Sequence, residues 1–142
     1  THRPLPPHEE RDTMLTVELP YPPSVNHYWR RVGPRTLISR QGRAYRREVA
    51  AAVERIDRVA EQIPLTGPLS VEVLLYPPDR RRRDLDNTLK GLLDALEHAG
   101  VYLDDSLIER LSVEKRDVVE GGKAVVVIRR RDILPDGMEV PA

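Results

Sequence analysis

The chain has 142 residues, enough for one domain with one real core, and contains no cysteine, which excludes disulfides and thiolate metal sites. Its charged fraction is 32% but its formal net charge is zero, so the overall basic excess of a typical polyanion-binding protein is missing. No apolar run approaches the roughly 20 residues of a membrane span, and the Pro-rich, charged start is not a secretory signal. A soluble cytoplasmic protein without membrane contact is therefore expected.

Residues 1–13 and 132–142 read as tails flanking one domain at 14–131. Leu15, Val17 and Leu19 alternate with Thr16 and Glu18, which predicts a strand stopped by Pro20, Pro22 and Pro23. Residues 24–38 show no period and read as a long loop, a feature often functional. Ser39 can cap a helix whose apolar positions Tyr45, Val49, Ala52, Val53, Ile56, Ala60 and Ile63 recur at spacings of three and four, ending near Pro64. After the Gly67-Pro68 turn, Leu69, Val71, Val73 and Leu75 predict a second strand. Residues 79–84 form a polar connector. Asp86 or Asn87 can cap a second helix with the stripe Leu89, Leu92, Leu93 and Leu96, closed by Gly100. Residues 108–115 and 124–130 read as two strands, with Gly121-Gly122 signalling a hairpin between them. The expectation is an α/β (α+β) domain in strand-helix-strand-helix-strand-strand order. Its mixed sheet would have parallel neighbours across the helices and an antiparallel last pair.

The charge is unevenly distributed. Residues 24–47 carry Arg30, Arg31, Arg35, Arg40, Arg43, Arg46 and Arg47 and no acid, and Arg80, Arg81, Arg82 and Arg83 form a second basic block. Acids dominate from Asp94 to Glu120. Such a dipole can bind a polyanion on one face while the total stays neutral.

The densest segment holds Asp84 and Asp86, two residues apart and on one side of an extended chain. Side-by-side carboxylates repel unless a cation lies between them, and Mg²⁺ prefers such oxygen ligands. Lys90 follows one helical turn later, where it could neutralise charge on a phosphate, and Arg83 could clamp a phosphate oxygen. A plain structural reading competes: an Asp before a helix is commonly a cap, Asp–Lys at this spacing a surface ion pair, and four arginines a solvated loop. Asp104-Asp105 is a second acidic pair. A helix over 86–99 is about 20 Å long, so Asp105 meets Asp84 and Asp86 only if the chain doubles back or a partner subunit supplies it. Asn26 could donate to a phosphate. His27-Tyr28-Trp29-Arg30-Arg31 could stack on bases and grip phosphates, or its aromatics could fill the core. No Walker, GxGxxG, Ser/His/Asp or Cys/His signature is present.

The segment 19–30, LPYPPSVNHYWR, resembles the N-terminal motif of the RusA Holliday junction resolvases. The segment 78–87, PDRRRRDLDN, followed by Lys90, resembles their catalytic signature, and LLDAL at 92–96 with GVYLDD at 100–105 continues the likeness. The resemblance spans 15–129. It implies a phage or bacterial homodimer that nicks four-way DNA junctions in pairs. It further implies Mg²⁺ (Mn²⁺ as an alternative) on Asp84, Asp86 and Asp105, with Lys90 assisting and Arg83 beside the first aspartate. DNA contacts are expected from Arg80, Arg81, Arg82, Arg83, Asn26, Tyr28, Arg30, Arg31, Arg35 and Arg43. Two rival readings are a broader branched or single-strand DNA nuclease, and a DNA-binding protein whose acids only cap and pair.

Overall fold

The alternation at the start places Leu15, Val17 and Leu19 on the buried face of β1 (Leu15–Leu19), as the period of a half-buried strand requires. The computed structural model describes residues 14–131, so both expected tails lie outside the described residues. After β1 come a helical turn α1 (Val25–Tyr28), strands β2 (Trp29–Val32) and β3 (Arg35–Ile38), helix α2 (Arg40–Glu54) and the turn α3 (Val59–Gln62). Strand β4 (Leu69–Tyr76) leads through a 3₁₀ turn, Leu85–Thr88, into α4 (Leu89–His98). A second 3₁₀ turn, Asp105–Leu107, precedes β5 (Ile108–Lys115) and β6 (Lys123–Arg130). The class is mixed α/β, and the six main elements follow the expected order.

The main sheet runs β1-β6-β4-β5. β4 and β5 are parallel, as their helical crossover predicts, while β6 is antiparallel to both β1 and β4. The expected β5–β6 hairpin is therefore corrected: the two strands are not neighbours. The physical reason lies in their side chains. β6 buries Ala124, Val126 and Ile128, whereas no residue of β5 is fully buried. The more apolar strand takes the centre, and the charged one takes the edge. The connection crosses the end of β4, with the Arg116 and Val119 amides donating to the Leu75 and Pro77 carbonyls at 2.7 and 2.9 Å. Gly121 and Gly122 turn the chain there at φ 80° and 70°, a backbone region where glycine has no Cβ penalty.

Residues 24–38 are not a loop throughout. α1 is followed by an antiparallel ribbon in which Trp29 faces Ile38 and Val32 faces Arg35, turned by Gly33 at φ 61°. The first long helix also stops earlier than expected. Ser39 caps it, accepting from the Gly42 amide at 2.9 Å, but α2 ends at Glu54 and Arg58 enters the left-handed region at φ 55°. Neither Asp86 nor Asn87 caps α4, whose N-cap position is Thr88 and carries no side-chain cap bond.

Helices α2 and α4 pack on each other and over the apolar face of the sheet, formed by Leu69, Val71, Val73 and Leu75 with the buried residues of β1 and β6. Tyr28 is wedged between these helices. A Cβ on Gly42 would collide with its carbonyl, and one on Gly91 would sit 2.9 Å from its ring. The Tyr45 hydroxyl donates to the Pro20 carbonyl at 2.9 Å, tying α2 to the end of β1. No helix among the described residues is long and apolar enough to cross a membrane.

Candidate active site

The anchor of the region is buried. Tyr28 is fully enclosed, and its hydroxyl donates to Asp94 on α4. Arg46 on α2 donates to the same carboxylate oxygen through Nε at 3.0 Å and Nη2 at 2.8 Å, and Nε lies 3.1 Å from the Tyr28 hydroxyl. Burial, then the bond to Asp94, pushes the Tyr28 phenol well above its usual range, so it remains a protonated donor. This corrects the expectation that Tyr28 contacts DNA: its ring presents no free face to a base. Arg46 and Asp94 have no signal in the sequence, because their partnership spans 48 residues and no local spacing announces it.

With α1 fixed in this way, two grooves open on either side of it. The first, of about 510 Å³, is lined by Tyr21, Pro22, Pro23, Ser24 and His27 on one wall and by Arg81, Arg82, Arg83, Asp84, Asn87 and Thr88 on the other. Arg83 is braced there. Its Nη1 donates to Asp79 Oδ1 at 2.7 Å and to the Asp79 and Arg81 carbonyls at 3.3 and 3.2 Å, and its guanidinium lies 5.6 Å from the Tyr21 ring centroid. The Arg83 bond and the Arg81 amide hold the Asp79 carboxyl down at about 2. Arg80, Arg81 and Arg82 are exposed. The Ser24 hydroxyl and His27 Nδ1 lie 2.7 Å apart.

The second groove, of about 480 Å³, gathers Asn26, Arg30, Arg31 and Lys90 with Val25, Trp29 and Thr36. It has no carboxylate in its lining, so its polar side chains are suited to an anion. Arg35 is exposed at the start of β3, close in sequence to Thr36. Arg43 is also exposed, lies outside both linings, and donates to the Ile38 carbonyl at 3.2 Å.

The acids divide into two sets. Asp84 stands in the wall of the first groove, and Asp86 is exposed in the turn leading to α4. Neither carboxylate is hydrogen-bonded or ion-paired to another described residue, so both are free to act as oxygen ligands. Asp105 lies at the other end of α4, where its amide donates to Glu97 Oε1 at 2.9 Å. Glu97, Asp104 and Asp105 place ligand oxygens within 4.8 Å of one another, and among the described residues this is the one such three-acid group found. Asp104 is drawn below the usual carboxylate range chiefly by the Ser106 amide, which donates to it at 2.8 Å. Glu97 carries no sequence signal, since it reads as an ordinary surface residue of a helix. The chain does not double back along α4, so Asp84, Asp86 and Asp105 are not gathered within one chain. The ten-residue helix separates them by on the order of 15 Å.

Comparison with known proteins gives this arrangement a context. The sequence model of the family described as Endodeoxyribonuclease RusA matches residues 20–129. The chain is 43% identical over 110 residues to the crossover junction endodeoxyribonuclease of Enterobacteria phage HK97, covering 78% of this chain and 89% of that protein. It is 40% identical over 113 residues to the crossover junction endodeoxyribonuclease RusA of Escherichia coli strain K12, covering 80% and 92%. The two basic grooves, Asp84, Asp86, Lys90 and Asp105 all fall inside the matched span, and the chain belongs to the RusA endodeoxyribonuclease family.

Proposed function

We propose that the chain is a divalent-metal-dependent endodeoxyribonuclease. As a homodimer it resolves four-way (Holliday) DNA junctions by paired symmetric nicks during recombination and repair. Its place of action is the cytoplasm of a bacterial or phage-infected cell. The observation that carries this reading is an adjacency. A free carboxylate, Asp84, stands among Arg81, Arg82 and Arg83 in one groove, and Lys90 stands with Asn26, Arg30 and Arg31 in the next. The names of the relatives supply the crossover junction as substrate.

Asp84 and Asp86 offer hard oxygen donors with no competing partner, which suits Mg²⁺, with Mn²⁺ as the alternative. Because Asp105 is held at the far end of α4, the third carboxylate of each site comes from Asp105 of the partner subunit. When bound, the cation supplies Lewis-acid polarisation of the scissile phosphodiester and a more acidic water. Lys90 neutralises charge developing on the phosphate. The exposed arginines hold the flanking backbone, and Arg83, braced by Asp79, presents its remaining donors to the first groove. The products are a 5′-phosphate and a 3′-hydroxyl. A two-fold symmetric junction needs two cuts, which an isologous dimer supplies.

The test is cleavage of a synthetic four-way junction with and without Mg²⁺, beside forks, flaps and linear duplex, using the parent protein and Asp84→Asn. Symmetric nicks requiring both metal and Asp84 are expected, with junction binding by Asp84→Asn kept or tightened because a negative charge facing the phosphate is lost. Equal cutting of all substrates would replace the resolvase reading with a broader DNA nuclease. Binding without any cut would leave a DNA-binding protein.

A further inference from the structure

Trp29 carries a polar atom that the fold leaves unused. Its side chain is partly buried against the core, and its ring meets that of Tyr28 edge-on, with centroids 4.9 Å apart. The Tyr28 hydroxyl is engaged by Asp94. The Trp29 indole Nε1 is buried and has no acceptor, and among the described residues it is the one buried side-chain nitrogen or oxygen in this state. A buried indole N–H normally finds a partner, because a donor shut away from water without one lowers stability. Such a group in a folded protein calls for a reason.

The place of the ring supplies one. Trp29 opens β2 and lines the second groove with Asn26, Arg30, Arg31 and Lys90, a lining without a carboxylate. The charged groups there are all donors, so the groove is matched to an anion rich in acceptor oxygens. The ribbon that carries Trp29 is separate from the main sheet and packs chiefly on itself and on α1. An isolated two-stranded ribbon is a marginal structure, and residues 30–36 are all exposed. It can shift without breaking a ladder of the main sheet, which is what the enclosed N–H needs in order to meet an oxygen in the groove.

We infer that Trp29 is a further DNA-binding residue: its indole N–H is kept without a partner in the free protein and donates to a phosphate oxygen of the strand held in the second groove beside Lys90. This rests on the DNA-binding part of the function proposed above. The aromatic side chain of segment 27–31 that serves DNA is then Trp29 rather than Tyr28, and it acts through its N–H. A donor unsatisfied in the free protein and satisfied in the complex favours the bound position of the ribbon by that difference. The arginines add charge to the groove, whereas this neutral donor adds direction.

Trp29 is the only tryptophan of the chain, so its indole can be exchanged without touching another site. Benzothienylalanine at position 29 keeps the bicyclic shape and puts sulfur where the N–H stands. The denaturant midpoint should equal or exceed that of the parent, since only an unsatisfied donor is removed. Affinity for a four-way junction in EDTA should fall about tenfold, the worth of one hydrogen bond to a charged group. The slope of log affinity against log salt should stay at the parent value, because a neutral donor releases no counterion. In the parent, the single indole N–H signal in proton–nitrogen correlation spectra should move downfield when the junction is added. A lowered midpoint would show that the N–H already has a partner inside the protein and would overturn the inference. Equal affinity, or an unmoved indole signal in a parent that binds the junction, would do the same. So would a reduced salt slope, which would mean that the exchange had displaced the ribbon and its arginines. A parent that does not bind the junction would take down the proposed function and this contact with it, whereas the other outcomes reach the contact alone.

Discussion

Asp79 and Arg83 illustrate how a single ion pair can prepare a surface for an anion. The Asp79 carboxyl is held at about 2, below its ordinary 3.8, by Arg83 and by the Arg81 amide. A carboxyl whose folded value is depressed contributes stability above its unfolded value and loses it as the pH falls through the folded one. The contribution of this pair is therefore complete above about pH 4 and disappears toward pH 2. Asp79→Asn should remove that segment of the acid unfolding curve. It should also weaken junction binding at neutral pH by releasing Arg83 from its brace, a change that gel-shift titration measures. Unchanged affinity would show that the Asp79 brace does not contribute to DNA binding. At this scale the sequence is informative about charge and poor about direction. Arg81 to Asp84 and Asn26, Arg30, Arg31 and Lys90 do converge on two grooves, but nothing in His27-Tyr28-Trp29 distinguishes the buried aromatic from the one bordering the groove. That choice is made by Asp94, Gly42 and Gly91, all distant in the chain.

The elements hold this geometry through close packing. α1 can sit between α2 and α4 only because Gly42 and Gly91 leave room for Tyr28. Gly91→Ala puts a methyl 2.9 Å from that ring. Such overpacking costs typically about 1–3 kcal/mol, offset in part by the better helix propensity of alanine. A net loss in denaturant midpoint is expected, along with weaker DNA binding as α1 and both grooves shift. An undiminished midpoint would show that the ring yields freely. Element periods are readable where one face is buried and the other wet: β1, β4 and α4 appear where their apolar spacing puts them, and α2 starts where expected but stops at Glu54, short of the spacing that runs on to Ile63. The β2–β3 ribbon is not readable. Its residues 30–36 are all exposed, so no alternation of apolar and polar side chains exists to signal a strand. The apparent β5–β6 hairpin misleads because turn chemistry fixes where the chain bends but not which strand it next pairs with.

For the whole molecule, the zero net charge is a poor guide to partners because the arginines are segregated. Residues 30–36 form an arginine-bearing ribbon with no acid, with Arg30 and Arg31 in one groove beside α1 and Arg81, Arg82 and Arg83 in the other. If the ribbon grips phosphates, Arg30→Ala/Arg31→Ala should reduce the slope of log affinity against log salt by about 0.9 for each phosphate no longer neutralised. Filter binding over a salt series measures this. A slope equal to that of the parent would remove the ribbon from the interface. The family and the overall class are legible from motif and periodicity together. The division of the acids between the two ends of α4 is not, since it depends on the path taken after Gly100, where Asp105 is tied to Glu97.

The central position of β6 bears on how the chain can be made. Among the described residues β1 has one hydrogen-bonded neighbour, and that neighbour, β6, is the strand of this sheet made latest. Until residues 123–130 emerge, β1 and β4 have a gap between them and the apolar faces of both strands remain open to water. The nascent chain can form α2 and the parallel β4–α4–β5 unit early, but the sheet closes in a single late step in which β6 enters between β1 and β4. A ribosome stalled before Lys123 would therefore display a sticky, unclosed half-sheet, a natural target for chaperones and proteases.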